Sequence, residues 1–266
     1  PIGWRGILGV VAAFTGLLVV MVLLWVPESL PAERRHDGGL RILLDGTREL
    51  ARDHVLVRLL FINALSFGLL MAYLSAAPFV LRNVLGMGTV AYTAVFGLCG
   101  ATVTVTIAVA ASLVRRFSQA RLVRVGLIAG LVVDTVFAGV CLMWLREPVT
   151  GPERMPLLVA VVALFLAHVA CLGLSMGNAP ALALDRTGRW AGTGSALLGF
   201  LQFVVGGLVS PLVGLTGEAS GAAFGVVIVA VGAVANVLAV FGLRERGEKQ
   251  RLAAQVTKCR QQRLGQ

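Results

Sequence analysis

The chain has 266 residues, 58% of them apolar and 14% charged, with a formal net charge of +10. This is too hydrophobic for a disordered chain, too poor in cysteine (four) for a disulfide scaffold, and too poor in polar residues for a soluble basic nucleic-acid binder. What remains is a polytopic membrane protein with lipid as its main solvent and no nucleic-acid partner.

Crossing a hydrocarbon core takes about 20 apolar residues. Seven stretches meet that length: Gly6–Val26, Leu59–Leu81, Thr89–Leu113, Val125–Leu145, Pro156–Met176, Ala191–Leu215 and Ala222–Leu243. They are long and uniformly apolar, which predicts all-α spans; barrel strands would be about half as long and would alternate in polarity. The chain opens on Pro1 rather than Met, with nothing like the basic start of a signal peptide before Trp4. A fragment or a processed product is therefore expected.

After the first span, Pro27 and Pro31 stop the helix and a charged run leads to Gly38 and Gly39. Leu40, Leu43, Leu44 and Leu50 then share one helical face, and Arg41 sits four residues before Asp45. This predicts either an amphipathic segment on the membrane surface or a solvated linker with some helix. The loops fall alternately on two sides. Residues 27–58, 114–124, 185–190 and the tail from 244 carry 19 basic and nine acidic side chains. The opposite side carries only Arg5, Arg82, Arg146 and Arg154 with three acids. The basic side is expected to be cytoplasmic, so the chain starts outside and ends inside. Its basic tail, 244–266, is expected to meet anionic lipid of the inner leaflet.

Polar residues inside membrane helices are costly and mark candidate sites. The second span carries Asn63, Ser66 and Tyr73; the third Tyr92, Cys99, Thr102 and Thr106; the fifth His168, Cys171, Ser175 and Asn178; the sixth Ser195 and Gln202. Either these stripes line a shared wet interior, or their small side chains pack helix on helix. Asp134 is the one charged residue within any span, and on sequence alone it is the leading proton-relay candidate; a protonated or hydrogen-bonded Asp near Thr135 is the alternative. His168 reads equally as a proton-responsive group or as a helix–helix hydrogen bonder. Gly206, Gly207, Pro211 and Gly214 form a glycine/proline stretch in the sixth span, read as a hinge or packing seam. The cysteines show no metal-ligand spacing, so neither metal nor disulfide is expected.

Pro27-Glu28-Ser29-Leu30-Pro31-Ala32-Glu33-Arg34-Arg35, preceded by a span opening Gly3-Trp4-Arg5, resembles the major facilitator superfamily, and within it the Bcr/CflA group of drug:proton antiporters. Residues Ala191–Gln202 resemble that group's eleventh span, and Gly177–Leu184 the end of its tenth. The resemblance runs from about residue 3 to about residue 243, nearly the whole chain. It implies seven helices of a twelve-helix fold. Residues 1–26 would be the last helix of the N-terminal half, 27–58 the central cytoplasmic loop, 59–243 the C-terminal six-helix half, and 244–266 a cytoplasmic tail. The missing partners would be the upstream helices of the same protein, including the first span, where the group usually carries its proton-coupling acid. The loop Val114–Arg121 keeps the basic residues of the family's Gly-x-x-x-Asp-Arg-x-Gly-Arg motif without its Gly and Asp. Asp134 would lie on the peripheral ninth span.

The expected function is proton-coupled efflux of small amphipathic drugs by alternating access across the cell (inner) membrane, with the proton gradient as driving force and no other cofactor. The expected substrate cavity comprises Asn63, Phe67, Met71, Tyr73, Phe165, His168 and Gln202, since flexible Met and aromatic contacts suit a promiscuous site. The chain alone is expected to be inactive and is not expected to be an enzyme. The alternatives are an intramembrane serine protease using Ser195 and His168, which lacks the Gly-x-Ser-x-Gly elbow, and a structural membrane subunit. A retinal-type protein would need a lysine in its last span, and the two lysines lie in the tail.

Overall fold

A computed structural model describes residues 3–26, 39–215 and 221–241. The chain forms two compact units, Pro1–Leu43 and Leu44–Gln266. The first unit holds α1 (Trp4–Trp25), a helix with no charged residue beyond Arg5. Apolar residues run all round it, the composition of a helix that meets apolar surroundings on every side. The Thr15 hydroxyl donates to the Val11 carbonyl, 2.9 Å away, and so needs no other partner.

Helix α2 (Leu40–Ala51) crosses from the first unit into the second. Within the second unit follow α3 (His54–Pro78), α4 (Thr89–Leu113), α5 (Gln119–Trp144), α6 (Arg154–Leu184), α7 (Ala191–Leu212) and α8 (Ala222–Phe241). All regular elements among the described residues are helical, and seven are long and apolar enough to cross a membrane. Each expected span is found, but several helices run past it. Continued by a π-helical turn at Phe79–Val84, α3 spans 31 residues, about 46 Å against a hydrocarbon core of about 30 Å. Apolar runs mark only the lipid-immersed part of a helix; backbone hydrogen bonding carries α3, α5 and α6 onward through Arg58, Arg121, Arg124 and Arg154. Conversely, α7 ends at Leu212 rather than Leu215, just after Pro211.

The predicted amphipathic segment does form a helix, with a different contact pattern. Leu50 is buried in the core of the second unit, while Leu43 and Leu44 remain exposed. Asp45 pairs with Arg48 at 3.8 Å rather than with Arg41, since positions three apart are helix neighbours just as positions four apart are. The proline stop at 27 and 31 and the tail at 244–266 lie outside the described residues.

The six long helices pack pairwise, α3 against α7 and α6, and α6 against α4 and α5. The seams depend on missing side chains. A Cβ on Gly173 of α6 would lie 2.7 Å from Thr106 Cβ of α4, and one on Gly225 of α8 would lie 2.9 Å from Ala138 Cα of α5. Such close backbone approach is how helices gain contact in lipid, where no hydrophobic drive pulls them together. Two apolar clusters fill the interior. One gathers Tyr73, Phe137, Phe165 and Phe224; the other gathers Leu56, Ile62, Val123 and Leu182.

Candidate functional site

Between these two clusters the structure places the polar pair that sequence reading treated as separate candidates. Asp134 of α5 and His168 of α6 are each 1% exposed, with Asp134 Oδ1 2.5 Å from His168 Nδ1. Phe137 lies one turn beyond Asp134 toward the aromatic cluster, and Leu127 two turns before it belongs to the aliphatic one. The pair is thus mid-bundle, where lipid or protein replaces water. The α5–α6 seam permits this. A Cβ on Gly126 would lie 2.9 Å from both Cys171 O and Leu174 Cβ, so the backbones approach closely enough for two short polar side chains to meet. Thr135, the alternative partner, instead donates to the Leu131 carbonyl of its own helix at 2.7 Å.

The second ring nitrogen, His168 Nε2, is buried and makes no hydrogen bond among the described residues. A small cavity adjoins the pair, lined among others by Leu69, Gly126, Gly130, Ser175 and Gly232. Its volume of about 10 Å³ is room for roughly one water molecule. Helix α8 closes this side: Asn236 Nδ2 donates to Leu127 O of α5 at 2.9 Å and to Gly232 O of its own helix at 2.9 Å. Asn236 escaped the sequence reading, although a carboxamide in an apolar span is a signal of the same kind as Asp134.

The other expected cavity residues separate into two groups. Asn63, Phe67, Met71 and Gln202 gather along the α3–α7 seam. Asn63 Nδ2 donates to Gln202 Oε1 at 3.4 Å, and Phe67 meets Phe203 edge to face at 5.4 Å. A Cβ on Gly206 would lie 2.9 Å from Met71 Cγ and 3.0 Å from Phe67 Cδ1. Tyr73 and Phe165 sit instead in the aromatic cluster. Phe165 is fully buried, 5.3 Å from Tyr73, 4.8 Å from Phe137 and 5.7 Å from Phe224 between ring centroids. His168 belongs with Asp134. Of the glycine/proline stretch, Gly206 makes the close approach. Gly207 has open space around it, and a Cβ on Gly214 would touch only Pro211 O, at 3.6 Å. The hydroxyls of Ser66, Thr102 and Thr106 each donate to the carbonyl four residues earlier, which satisfies them within their own helices.

Two further polar contacts join α3 and α7 to their surroundings. Ser75 and Ser210 hydroxyls lie 2.6 Å apart beside a cavity of about 430 Å³ flanked by Pro78 and Pro211. At the start of α3, Asp53 accepts the amide hydrogens of Val55 and Leu56 at 3.0 and 3.2 Å as helix cap, and its second oxygen lies 2.6 Å from Arg186 Nη2. Partial burial pulls the Asp53 carboxyl upward, but the Arg186 hydrogen bond, the capped amides and the Arg186 charge outweigh it and hold it below the usual range. Glu49 of α2 accepts from Arg189 at 2.7 Å, and that bond together with one from Trp190 lowers its carboxyl too. The α6–α7 connection is thereby fastened to α2 and to the first turn of α3. Neither pairing was apparent in sequence, because each joins residues more than 130 positions apart.

Among the described residues no group of His, Cys, Asp and Glu gathers to hold a metal. No hydrogen bond joins Ser195 to His168 among them, so the serine–histidine arrangement of a protease is not formed. Long apolar helices packed through glycine seams around a buried titratable pair define a multi-pass membrane protein. The chain belongs to the Major Facilitator Superfamily, which matches residues 1–211. It is 27% identical over 244 residues to the uncharacterized MFS-type transporter YdgK of Bacillus subtilis (strain 168), a match covering 90% of this chain. The chain spans 56% of the length of that relative. No solved structure matches it. The family is one of membrane transporters, not enzymes.

Proposed function

We propose that the chain is the C-terminal portion of a proton-coupled secondary transporter of the Bcr/CflA type, which exports small amphipathic drugs by alternating access. In this reading residues 59–243 are one six-helix half, the helices upstream of residue 27 belong to the other, and 27–58 is the central loop. The protein sits in the cell (inner) membrane with its basic loops and tail cytoplasmic, in contact with anionic lipid.

The observation that carries the substrate assignment is the α3–α7 seam. It sets an amide pair, Asn63 and Gln202, beside Phe67, Met71 and Phe203. Phe203 is 71% exposed, and Phe200 and Leu208 on the same helix are exposed too. Aromatic and thioether surface with a few hydrogen-bonding groups suits molecules that vary in shape but share an apolar body and a polar end. The intact transporter in proteoliposomes is the test. An imposed pH gradient should drive movement of an amphipathic cationic dye, and a protonophore should stop it. No gradient-driven movement across a panel of cationic and neutral amphipathic compounds would overturn the reading.

A further inference from the structure

The Asp134–His168 pair is not accounted for by the substrate wall. It lies on α5 and α6, 1% exposed at both residues, while the amide and aromatic residues of the wall lie on α3 and α7. Replacing a buried ionic pair by apolar residues of similar volume is often neutral or stabilising, so packing alone does not explain this pair. We propose that Asp134 and His168 form a single proton-binding site inside the six-helix unit, loaded through His168 Nε2 from a water in the adjoining cavity. This deepens the proton-coupled reading above and rests on it for its role in transport.

The geometry assigns each atom a part. With Nδ1 2.5 Å from Asp134 Oδ1, a neutral His168 donates its Nδ1 hydrogen to the carboxylate. That tautomer leaves Nε2 with a free lone pair, and Nε2 is the ring atom without a partner among the described residues. A hydronium in the cavity breaks an O–H bond and forms an N–H bond at Nε2, leaving water behind. The result is an imidazolium still bonded to the carboxylate, so the pair changes from net −1 to net zero without losing its hydrogen bond. Release reverses the step. The cavity has room for about one water (about 10 Å³), and Ser175 lies in its wall as a polar neighbour.

The surroundings add little competing charge. On α6 itself, Cys171 faces α5 at Gly130, where an added Cβ would lie 3.5 Å from the Cys171 Cβ. Helix α3 contributes Leu69 to the cavity wall and α8 contributes Gly232, and α4 contributes nothing. Apart from the pair, no titratable side chain among the described residues lines the cavity.

Nitrogen-15 NMR of histidine-labelled intact transporter tests the site without any substrate. The His168 ring signals are assigned by their loss in His168→Gln. Between about pH 5 and about pH 9 they should move in one titration, with the Nε2 signal changing most. In Asp134→Asn this titration should be lost from that range. Proton uptake measured after an acid jump should fall by one per protein in either single variant and by no more in the double variant, as for one shared site. A wild-type His168 signal that is constant across that range overturns the proposal, as does uptake that falls by two in the double variant. If the site is right, Asp134→Asn should also lose gradient-driven accumulation by at least about tenfold while keeping substrate exchange at equal pH within about twofold. Equal loss of both activities overturns the coupling role. If no amphipathic substrate moves at all, the transport reading fails while the NMR result still decides the site.

Discussion

Asp134 and His168 are 34 positions apart in sequence, on different helices, yet their polar atoms meet at 2.5 Å in the centre of the six-helix unit. Each side chain is the other's means of remaining buried. Removing one leaves a polar group stranded in an apolar interior, and breaking such a pair costs about 3–5 kcal/mol when the survivor stays charged. Asp134→Leu is therefore expected to lower the unfolding temperature of the detergent-solubilised protein sharply. Asp134→Leu combined with His168→Phe should recover much of the loss. Equal destabilisation by the single and double variants would count against mutual dependence.

The glycines of α7 are expected to differ although they are adjacent. Gly206→Leu drives a side chain into Met71 and Phe67, and overpacking of this kind costs about 1–3 kcal/mol. It should also separate α3 from α7 and pull the Asn63–Gln202 pair apart. Gly207→Leu points into open space and should leave thermal stability nearly unchanged. Melting curves of the two variants decide the matter; the reverse order would mean that the seam is elsewhere.

Asn236 ties α8 to α5 through the Leu127 carbonyl. Hydrogen bonds between membrane helices contribute about 0.6 kcal/mol on average and rarely reach 2. Asn236→Ala is expected to cost roughly that much and to speed hydrogen exchange in α8 more than in α3. Uniform exchange across all helices would show that the bond holds no particular helix.

At the start of α3 the expected effect depends on pH. The Asp53 carboxyl is held below its usual range by Arg186 and the capped amides. A group with a depressed folded-state pKa contributes stability above its unfolded value, about 3.9, and loses it as pH falls through the folded value. Asn caps helices as well as Asp does, so Asp53→Asn isolates the ion pair. Wild type should melt above Asp53→Asn at neutral pH, and the gap should close below about pH 4. Asp53→Ala should lose about 1 kcal/mol more, the value of the cap. A gap unchanged at low pH would show that the Arg186 contact carries no charge-dependent stability.

Much of the fold was legible from hydropathy, because lipid imposes length and apolarity on each span. Thr89–Leu113 is found at its expected bounds, and the glycine at 206 does mark a close approach. Helix ends were less legible, since Arg58 and Arg124 continue helices that hydropathy alone would end. Partner choice was least legible. Asp134 and His168 each stood out as costly residues in lipid, yet nothing in one sequence says that the fourth and fifth spans pack through Gly126 and bring them together. Phe165 shows the reverse problem: an aromatic residue in a polar stripe reads as a cavity wall, whereas its packing among three other rings makes it core.

The two rims of the six-helix unit are fastened by different chemistry. At the rim where α3 begins, the ties are charged pairs, Asp53 with Arg186 and Glu49 with Arg189. Where α3 ends, they are mostly main-chain bonds. Val149 N donates to Val84 O at 2.8 Å, Gly221 N to Leu145 O at 2.7 Å, and Arg154 reaches the carbonyls of Leu85 and Gly86. Ionic strength weakens the former and hardly touches the latter. The unit is therefore a body with one electrolyte-responsive end and one indifferent end, so a salt jump should loosen it from the α3 start alone.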